Sequence, residues 1–185
     1  MLSQMAALLV DVVAGFFVYT LLARFHFQWL RVPFRNPIGE FIIAITNWMV
    51  VPARRVIPSL AGFDLASLLL AFAIQGAAIW ALAAISGVAP EPGRLSALAA
   101  VTLLRYSLHI LVFAIIVQAV LSWVNPHNEM AGIFNAVTRP FLAPIRRFLP
   151  VTGGLDLSPV VLLVILQLLF IPLDHLQVAV REIPF

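Results

Sequence analysis

The chain has 185 residues, of which 63% are hydrophobic and 10% are charged, and its mean hydropathy is +1.06. A soluble domain carries about 25% charged residues because its surface faces water, so this composition excludes a soluble globular protein. The lack of cysteine excludes disulfides, thiolate metal sites and thiol nucleophiles. A sequence pI near 10.6 would suggest nucleic acid as the partner of a soluble protein. Here the basic residues are eleven arginines in an apolar chain, and we expect no direct contact with nucleic acid.

Four apolar stretches are long enough, at about 20 residues, to cross a bilayer as helices. They are residues 2–23, 65–89, 95–117 with a continuation to 123, and 157 to about 180. The first stretch carries Asp11 and meets Arg24 in place of a small-residue cleavage site, which predicts a retained helix rather than a signal peptide. The fourth is interrupted near its end by Pro172, Asp174 and His175.

The connections between these stretches predict the orientation of the chain. Residues 90–94 contain two prolines and a glycine, which predict a tight turn. The segments 24–64 and 118–156 are long and contain eight of the eleven arginines. The positive-inside rule places both long segments in the cytoplasm and both termini outside.

An internal repeat divides the chain into two units. The pattern P-x-R-R-x-x-P at 52–58 recurs 92 residues later at 144–150. The same offset aligns six further identical residues: Asn36 with Asn128, Thr46 with Thr138, Gly62 with Gly154, Asp64 with Asp156, Leu65 with Leu157, and Gln75 with Gln167. An offset of 94 aligns Trp29 with Trp123. We therefore predict repeats at 1–89 and 95–185, related by a pseudo-two-fold axis along the membrane normal, because each contains an even number of spans.

Each long segment also contains an apolar stretch too short to span, at 38–51 and 130–143. Apolar residues recur at helical spacing in both, and Asn36 followed by Pro37 is a typical helix start. We interpret both as interfacial amphipathic helices, with a re-entrant hairpin as the alternative. The predicted fold class is thus an all-α membrane protein, with four transmembrane helices arranged as two parallel-related helix–interfacial helix–helix repeats.

Three elements of the second long segment carry a family resemblance. They are W-V-N-P at 123–126, P-x-R-R at 144–147 and G-G-x-D-x-S-P at 153–159. Together they resemble the YggT family, also called YlmG, of bacterial and plastid membrane proteins, and the double-unit length matches its longer bacterial members. The resemblance implies a multi-pass protein of the bacterial inner membrane, with links to osmotic tolerance, cell division, nucleoid distribution or cytochrome assembly. The first copy departs from the pattern, because residues 61–67 lack the second glycine and the Ser-Pro.

Two arginine pairs are the candidate contact sites for lipid or partner proteins: Arg54 with Arg55, and Arg146 with Arg147. Flanking prolines restrict the backbone, and guanidinium groups suit bidentate contacts with phosphate. These features predict binding of an anionic phospholipid. The alternative is that the pairs only direct topology.

A glycine–aspartate motif precedes the second and fourth spans. Its residues are Gly62 and Asp64 in the first copy, and Gly153, Gly154, Asp156, Ser158 and Pro159 in the second. The motif differs from the G-x-G-D of intramembrane aspartyl proteases, because Leu155 precedes Asp156. We expect helix capping by Asp64, and by Asp156 or Ser158.

Four polar residues within the spans are candidates for a structural or functional role. Gln75 and Gln167 have matching positions, and we expect a hydrogen bond between them across the pseudo-axis, with a solute path as the alternative. The offset of 94 also aligns Asp11 with Arg105. Buried charges tend to pair, so we predict an ion pair between the first and third spans. The alternative is that both side chains snorkel to water.

The sequence favours a role without catalysis. It contains no Ser/His/Asp set, no phosphate loop and no histidine spacing typical of metal ligands, so we expect no enzyme activity, cofactor or metal. The first hypothesis is an organiser or assembly factor of membrane machinery that engages lipid and other membrane proteins. The second is a small channel or permease for ions or osmolytes, which the few intramembrane polar residues disfavour. The sequence leaves homo-oligomerisation open.

Overall fold

The computed structural model describes residues 1–60, 62–88, 91–124, 128–149 and 156–182. Within them the chain forms six helices: α1 Leu2–Trp29, α2 Pro37–Ala53, α3 Leu65–Ile85, α4 Pro92–Val124, α5 Glu129–Phe148 and α6 Ser158–Glu182. The same ranges contain no β-strand beyond an isolated bridge between Leu60 and Phe63. The predicted all-α class is confirmed.

Four of the helices, α1, α3, α4 and α6, are long and apolar enough to cross a membrane. Large apolar side chains are exposed along them, including Leu8 and Leu9 on α1, Phe113 on α4 and Leu168 on α6. Water would penalise so much exposed apolar surface, whereas lipid does not. The architecture therefore fits a multi-pass membrane protein.

Two of the spans begin or end differently from the prediction. Helix α1 continues past Ala23 to Trp29, so Arg24 lies inside a helix and is buried, not in a loop. Helix α4 begins at Pro92, because proline at the first helical position sacrifices no hydrogen bond. Most of the predicted turn at 90–94 therefore belongs to α4.

The two short segments are continuous helices. Asn36 caps α2 by accepting a hydrogen bond from the Gly39 amide at 2.8 Å, and Asn128 caps α5 by accepting one from the Met130 amide at 3.0 Å. A re-entrant hairpin would have to reverse direction within each segment, so the structure contradicts that alternative. Placement of α2 and α5 at the lipid–water interface stays a prediction.

Helices α1 and α4 form the centre of the molecule. Helix α1 packs against α2, α3 and α4, and α4 packs against α3, α5 and α6 as well. One buried cluster unites Val18 and Leu22 of α1 with Leu103 of α4. A second cluster unites Phe27 of α1 with Ala114 of α4, so both clusters contain residues of the two repeats.

The contact between α1 and α4 departs from the symmetry that the repeat predicts. The rings of Tyr19 and Tyr106 stack with centroids 4.4 Å apart, and Tyr19 Oη lies 3.3 Å from His109 Nδ1. These pairs are 87 and 90 positions apart, whereas the repeat aligns positions 94 apart. The difference corresponds to about 6–10 Å along a helix, so α4 is shifted along α1 relative to strict two-fold symmetry.

Candidate functional site

The first repeat contains a buried ion cluster around Asp64, whose side chain is 1% exposed. Arg54 makes a bidentate contact with it, from Nη2 to Oδ2 at 2.6 Å and from Nε to Oδ1 at 3.2 Å. Arg24 Nε lies 3.7 Å from the same carboxylate. Ser67 donates to it from Oγ at 2.6 Å and from the backbone amide at 3.4 Å, so Asp64 also caps α3.

Arg24 connects this cluster to α2. Its Nη1 donates to Thr46 Oγ1 at 2.7 Å and to Asn47 Oδ1 at 2.9 Å. The residue is 4% exposed. Two guanidinium groups therefore face one carboxylate, and the ends of α1, α2 and α3 meet at a single site with an excess of one positive charge.

Hydrogen bonds keep the carboxylates of Asp64 and of its counterpart in the second repeat, Asp156, ionised. Burial alone would raise the pKa of Asp64, but hydrogen bonds from Arg54 and Ser67 outweigh it and hold the pKa below its usual value of 3.8. The pKa of Asp156 is also lowered, because hydrogen bonds from Ser158 and Arg146 outweigh the effect of burial.

The second repeat keeps part of this arrangement. Arg146 donates from Nε to Asp156 Oδ2 at 2.9 Å, and its Nη2 lies 2.8 Å from the same oxygen. Asp156 Oδ1 accepts from the Ser158 amide at 3.0 Å, where α6 begins, and Pro159 follows in the first turn. The Asp156 side chain is 31% exposed, far more than that of Asp64.

Gln118 occupies the position of Arg24 in the second repeat, 94 residues later. Its Oε1 accepts a hydrogen bond from Thr138, the counterpart of Thr46, and its Nε2 donates to Asn135 Oδ1 at 3.3 Å. Both threonines are fully buried. Sequence reasoning missed this contact, although a polar residue 94 positions after Arg24 together with an aligned threonine could have indicated it.

The structure divides each predicted arginine pair. Arg54 and Arg146 are held by carboxylates, whereas Arg55 and Arg147 are exposed and have no ion-pair partner in the part of the chain that the structure describes. The chain reverses towards Asp64 at Gly62, whose φ of 87° favours glycine. Gly153 and Gly154, which belong to the corresponding motif of the second repeat, lie outside the described residues.

Arg105 pairs with Asp174, not with Asp11. Its Nη1 lies 2.7 Å from Asp174 Oδ1 and donates to Gln177 Oε1 at 3.1 Å. The shift between α1 and α4 explains this correction, because Arg105 adjoins Tyr106, which stacks on Tyr19. Tyr19 lies eight residues beyond Asp11, or about 12 Å along the helix.

The two intramembrane glutamines do not form the expected hydrogen bond with each other. Gln75 is buried on α3, whereas Gln167 is exposed on α6. The helices have different neighbours, since α3 packs against α1 and α4, and α6 packs against α4 and α5. The prediction compared depth within the repeats, but depth alone does not bring two helices into contact.

An apolar cavity of about 470 Å³ lies between the repeats. Aromatic and aliphatic side chains form most of its wall, among them Phe27, Phe113 and Phe134, and its polar lining residues are Tyr19, Thr20 and His109. The His109 ring also stacks on Phe170 with centroids 4.8 Å apart, as suits a packing residue. Among the described residues, no group of three or more His, Asp or Glu side chains could hold a metal ion.

Comparisons with known proteins agree with the internal repeat. The sequence pattern of the CCB3/YggT family matches residues 3–85 and, a second time, residues 97–177. A Pseudomonas aeruginosa protein described as uncharacterized is 34% identical over 172 residues, which cover 91% of this chain and 87% of that protein. The uncharacterized protein YggT of Escherichia coli K12 is 32% identical over 163 residues, covering 87% and 85%. No solved structure matches the chain.

Proposed function

Because the chain belongs to the CCB3/YggT family, whose pattern it matches in both halves, we propose that it is a non-catalytic organiser or assembly factor of membrane machinery. In this proposal its arginine-rich face contacts anionic phospholipid and partner membrane proteins. One observation carries the proposal. Arg55 and Arg147 hold corresponding positions in the two repeats, and both are exposed beside an arginine that is already bound.

The neighbouring ion pairs fix the backbone that carries these two side chains. Arg54 binds the cap of α3, and Arg146 binds Asp156 before α6, so the ends of α2 and α5 are both anchored. A guanidinium group on an anchored backbone loses less freedom when it binds phosphate. Three further exposed arginines in the same two segments extend the positive surface: Arg31, Arg35 and Arg139.

We propose that this surface lies on the cytoplasmic side of a bacterial inner membrane. The support is the arginine distribution, since seven of the eleven lie in the two segments between paired spans and Arg24 lies near the end of α1 on the same side. A reporter that is active only outside the cytoplasm should be active at the C-terminus and inactive when fused after Asn36. The reverse pattern would overturn the orientation.

Lipid retention tests the proposal. Each arginine near an anionic surface contributes about 1 kcal/mol, so replacing both Arg55 and Arg147 by Gln should weaken binding of a short-chain phosphatidylglycerol roughly fivefold at each of the two sites. Native mass spectrometry of the purified protein measures this affinity. The thermal stability should be unchanged.

The matched control replaces Arg54 and Arg146 by Gln. These variants break the ion pairs with Asp64 and Asp156, so they should lower thermal stability. Equal lipid affinity in the wild type and the Arg55/Arg147 variant would contradict the lipid contact.

The alternative of a channel or permease has less support. The cavity of about 470 Å³ between the repeats is lined mainly by aromatic and aliphatic side chains, and the intramembrane charges Arg105 and Asp174 are paired with each other. We expect no solute flux through proteoliposomes that contain the protein. A measured flux of ions or osmolytes would favour the transport hypothesis.

A further inference from the structure

The two repeats fill the space beside their carboxylates with different side chains. In the first repeat Arg24 and Gln28, one helical turn apart on α1, both reach the cluster. Gln28 Oε1 accepts a hydrogen bond from Arg54 Nη2 at 2.9 Å. The corresponding residues of α4 are Gln118 and Ser122, which are both shorter. At these two positions the second repeat therefore has a carboxamide in place of the guanidinium and a hydroxyl in place of the carboxamide.

Two adjoining cavities lie beside these positions, the first with a wall of mixed polarity and the second with a mainly apolar wall. One, of about 250 Å³, is lined by Gln118, Ser122, Asn135 and Arg146, together with the small residues of α5. The other, of about 230 Å³, shares Gln118, Ser122 and Arg146 and extends to Asp156. Since one water occupies about 30 Å³ of liquid, each cavity has room for a group larger than a single water.

Two of the groups that contact Arg24 in the first repeat have counterparts in the second repeat. Asp156 corresponds to Asp64 and lines the second cavity, whereas Thr138, which corresponds to Thr46, lines neither cavity and donates its hydroxyl to Gln118. The amide oxygen of Asn47 has no direct equivalent, because position 139 is an arginine, but Asn135 presents an amide oxygen one turn earlier on α5.

The charges of the two sites differ by one. In the first repeat the carboxylate of Asp64 faces two guanidinium groups, those of Arg24 and Arg54. In the second repeat, Arg146 is the only guanidinium group that contacts Asp156 among the described residues. The second repeat thus has space for one more cation beside the side-chain oxygens of Asp156 and Asn135, and an amide oxygen such as that of Asn135 can accept a second hydrogen bond.

We propose that this cavity binds a small organic cation with N–H donors, carrying a guanidinium or primary ammonium group, where the Arg24 side chain lies in the first repeat. The bound cation and Arg146 would share Asp156, as Arg24 and Arg54 share Asp64. Nitrogen donors suit the site, because the Arg24 contacts are 2.7 and 2.9 Å long. Calcium or magnesium would require several oxygens at about 2.0–2.6 Å. The proposal does not depend on the lipid contact described above.

Thermal unfolding of the full chain in mild detergent tests the site, with tryptophan fluorescence as the readout. Methylguanidinium chloride is the probe, and sodium chloride keeps the ionic strength constant. Ligand at ten times its Kd should raise Tm by about 3–6 °C, and above the Kd the rise should grow with the logarithm of the ligand concentration. Tetramethylammonium has a similar charge but no N–H donor, and should not raise Tm.

Two variants close the cavity in different ways. Gln118→Arg introduces the side chain that the first repeat has at this position, and should abolish the response to methylguanidinium. Ser122→Leu fills the same space with an apolar group, should also abolish it, and keeps the test decisive if Gln118→Arg does not fold. Gln4→Arg makes the matched change at the exposed start of α1 and should leave the response intact.

Two results would overturn the proposal. One is a wild-type protein whose Tm does not respond to methylguanidinium, or responds equally to tetramethylammonium; the cavity would then hold only water. The other is a response that persists in a folded cavity variant, because the cation would then bind elsewhere.

Discussion

A single carboxylate, that of Asp64, holds three helix ends together. It binds Arg24 of α1 and Arg54 at the end of α2, and it caps α3 through Ser67. Its burial matters energetically, because removing one member of a buried ion cluster leaves the opposite charges without compensation. Asp156 has a corresponding position but is partly exposed and faces one arginine.

We therefore expect the two aspartates to differ in their contribution to stability. Asp64→Asn should lower the free energy of unfolding by about 3–5 kcal/mol, whereas Asp156→Asn should lower it by about 1 kcal/mol or less. Asparagine keeps the capping function in both variants, so the difference isolates the charge. Denaturant unfolding in detergent measures both, and equal losses would contradict the assignment.

The same carboxylate predicts an acid limit to stability. The pKa of Asp64 is lowered in the folded protein, so its stabilisation is fully present above the unfolded pKa and is lost as pH falls through the folded pKa. The Tm of the wild-type protein should therefore decrease when the pH is lowered below about 4. The Asp64→Asn variant should lose this part of the pH dependence.

The arginines and aspartates of this cluster can be singled out in the sequence, but the sequence does not decide whether each arginine binds a carboxylate or a lipid. Arg54 and Asp64 are ten positions apart, as are Arg146 and Asp156, and this equal spacing in both halves indicates a pairing. Clustered arginines near a membrane also indicate lipid binding, and composition cannot separate the two interpretations. Only the reversal of the chain at Gly62 brings the carboxylate to the first arginine of the pair.

Between the helices, the register of α1 against α4 decides which charges meet. The four spans were predictable because a bilayer requires about 20 apolar residues. Their register was not, because apolar helix surfaces pack against each other at several offsets with similar energy. The alignment of Trp29 with Trp123 shows which residues correspond in the repeat, and it does not show which residues lie side by side.

A double-mutant cycle tests the observed register. Arg105→Gln and Asp174→Asn should show a coupling energy of about 0.5–1 kcal/mol, modest because both side chains are partly exposed. Arg105→Gln and Asp11→Asn should be additive. Coupling to Asp11 in place of Asp174 would show that α1 and α4 meet at the offset of the sequence repeat.

Across the whole molecule, duplication has produced two halves with different interiors. The first half seals its carboxylate with Arg24 and Gln28, which come from α1. The second half leaves a cavity beside Asp156, with Gln118, Ser122 and Arg146 among mainly apolar lining residues. The Arg–Asp contact is common to both halves and stabilises each repeat, whereas the residues at positions 24 and 118 make the halves chemically distinct.

The position of Arg24 also determines an order of events while the chain is being synthesised. Arg24 leaves the ribosome forty residues before Asp64, so α1 enters the bilayer without its acidic partner. A long guanidinium side chain can snorkel to the surface meanwhile, and its burial then depends on the arrival of α3. In the second half, Asn135 and Thr138 reach Gln118 within 20 residues.

Nascent chains arrested at different lengths would reveal this order. Chains arrested before Asp64 emerges should leave Arg24 open to an arginine-specific dicarbonyl reagent, and chains that include all of α3 should protect it. Protection at both lengths would mean that α1 reaches its final depth alone. Under the expected outcome, α1 and α3 reach their final positions in the bilayer together. Before α3 is present, α1 does not lie at its final depth.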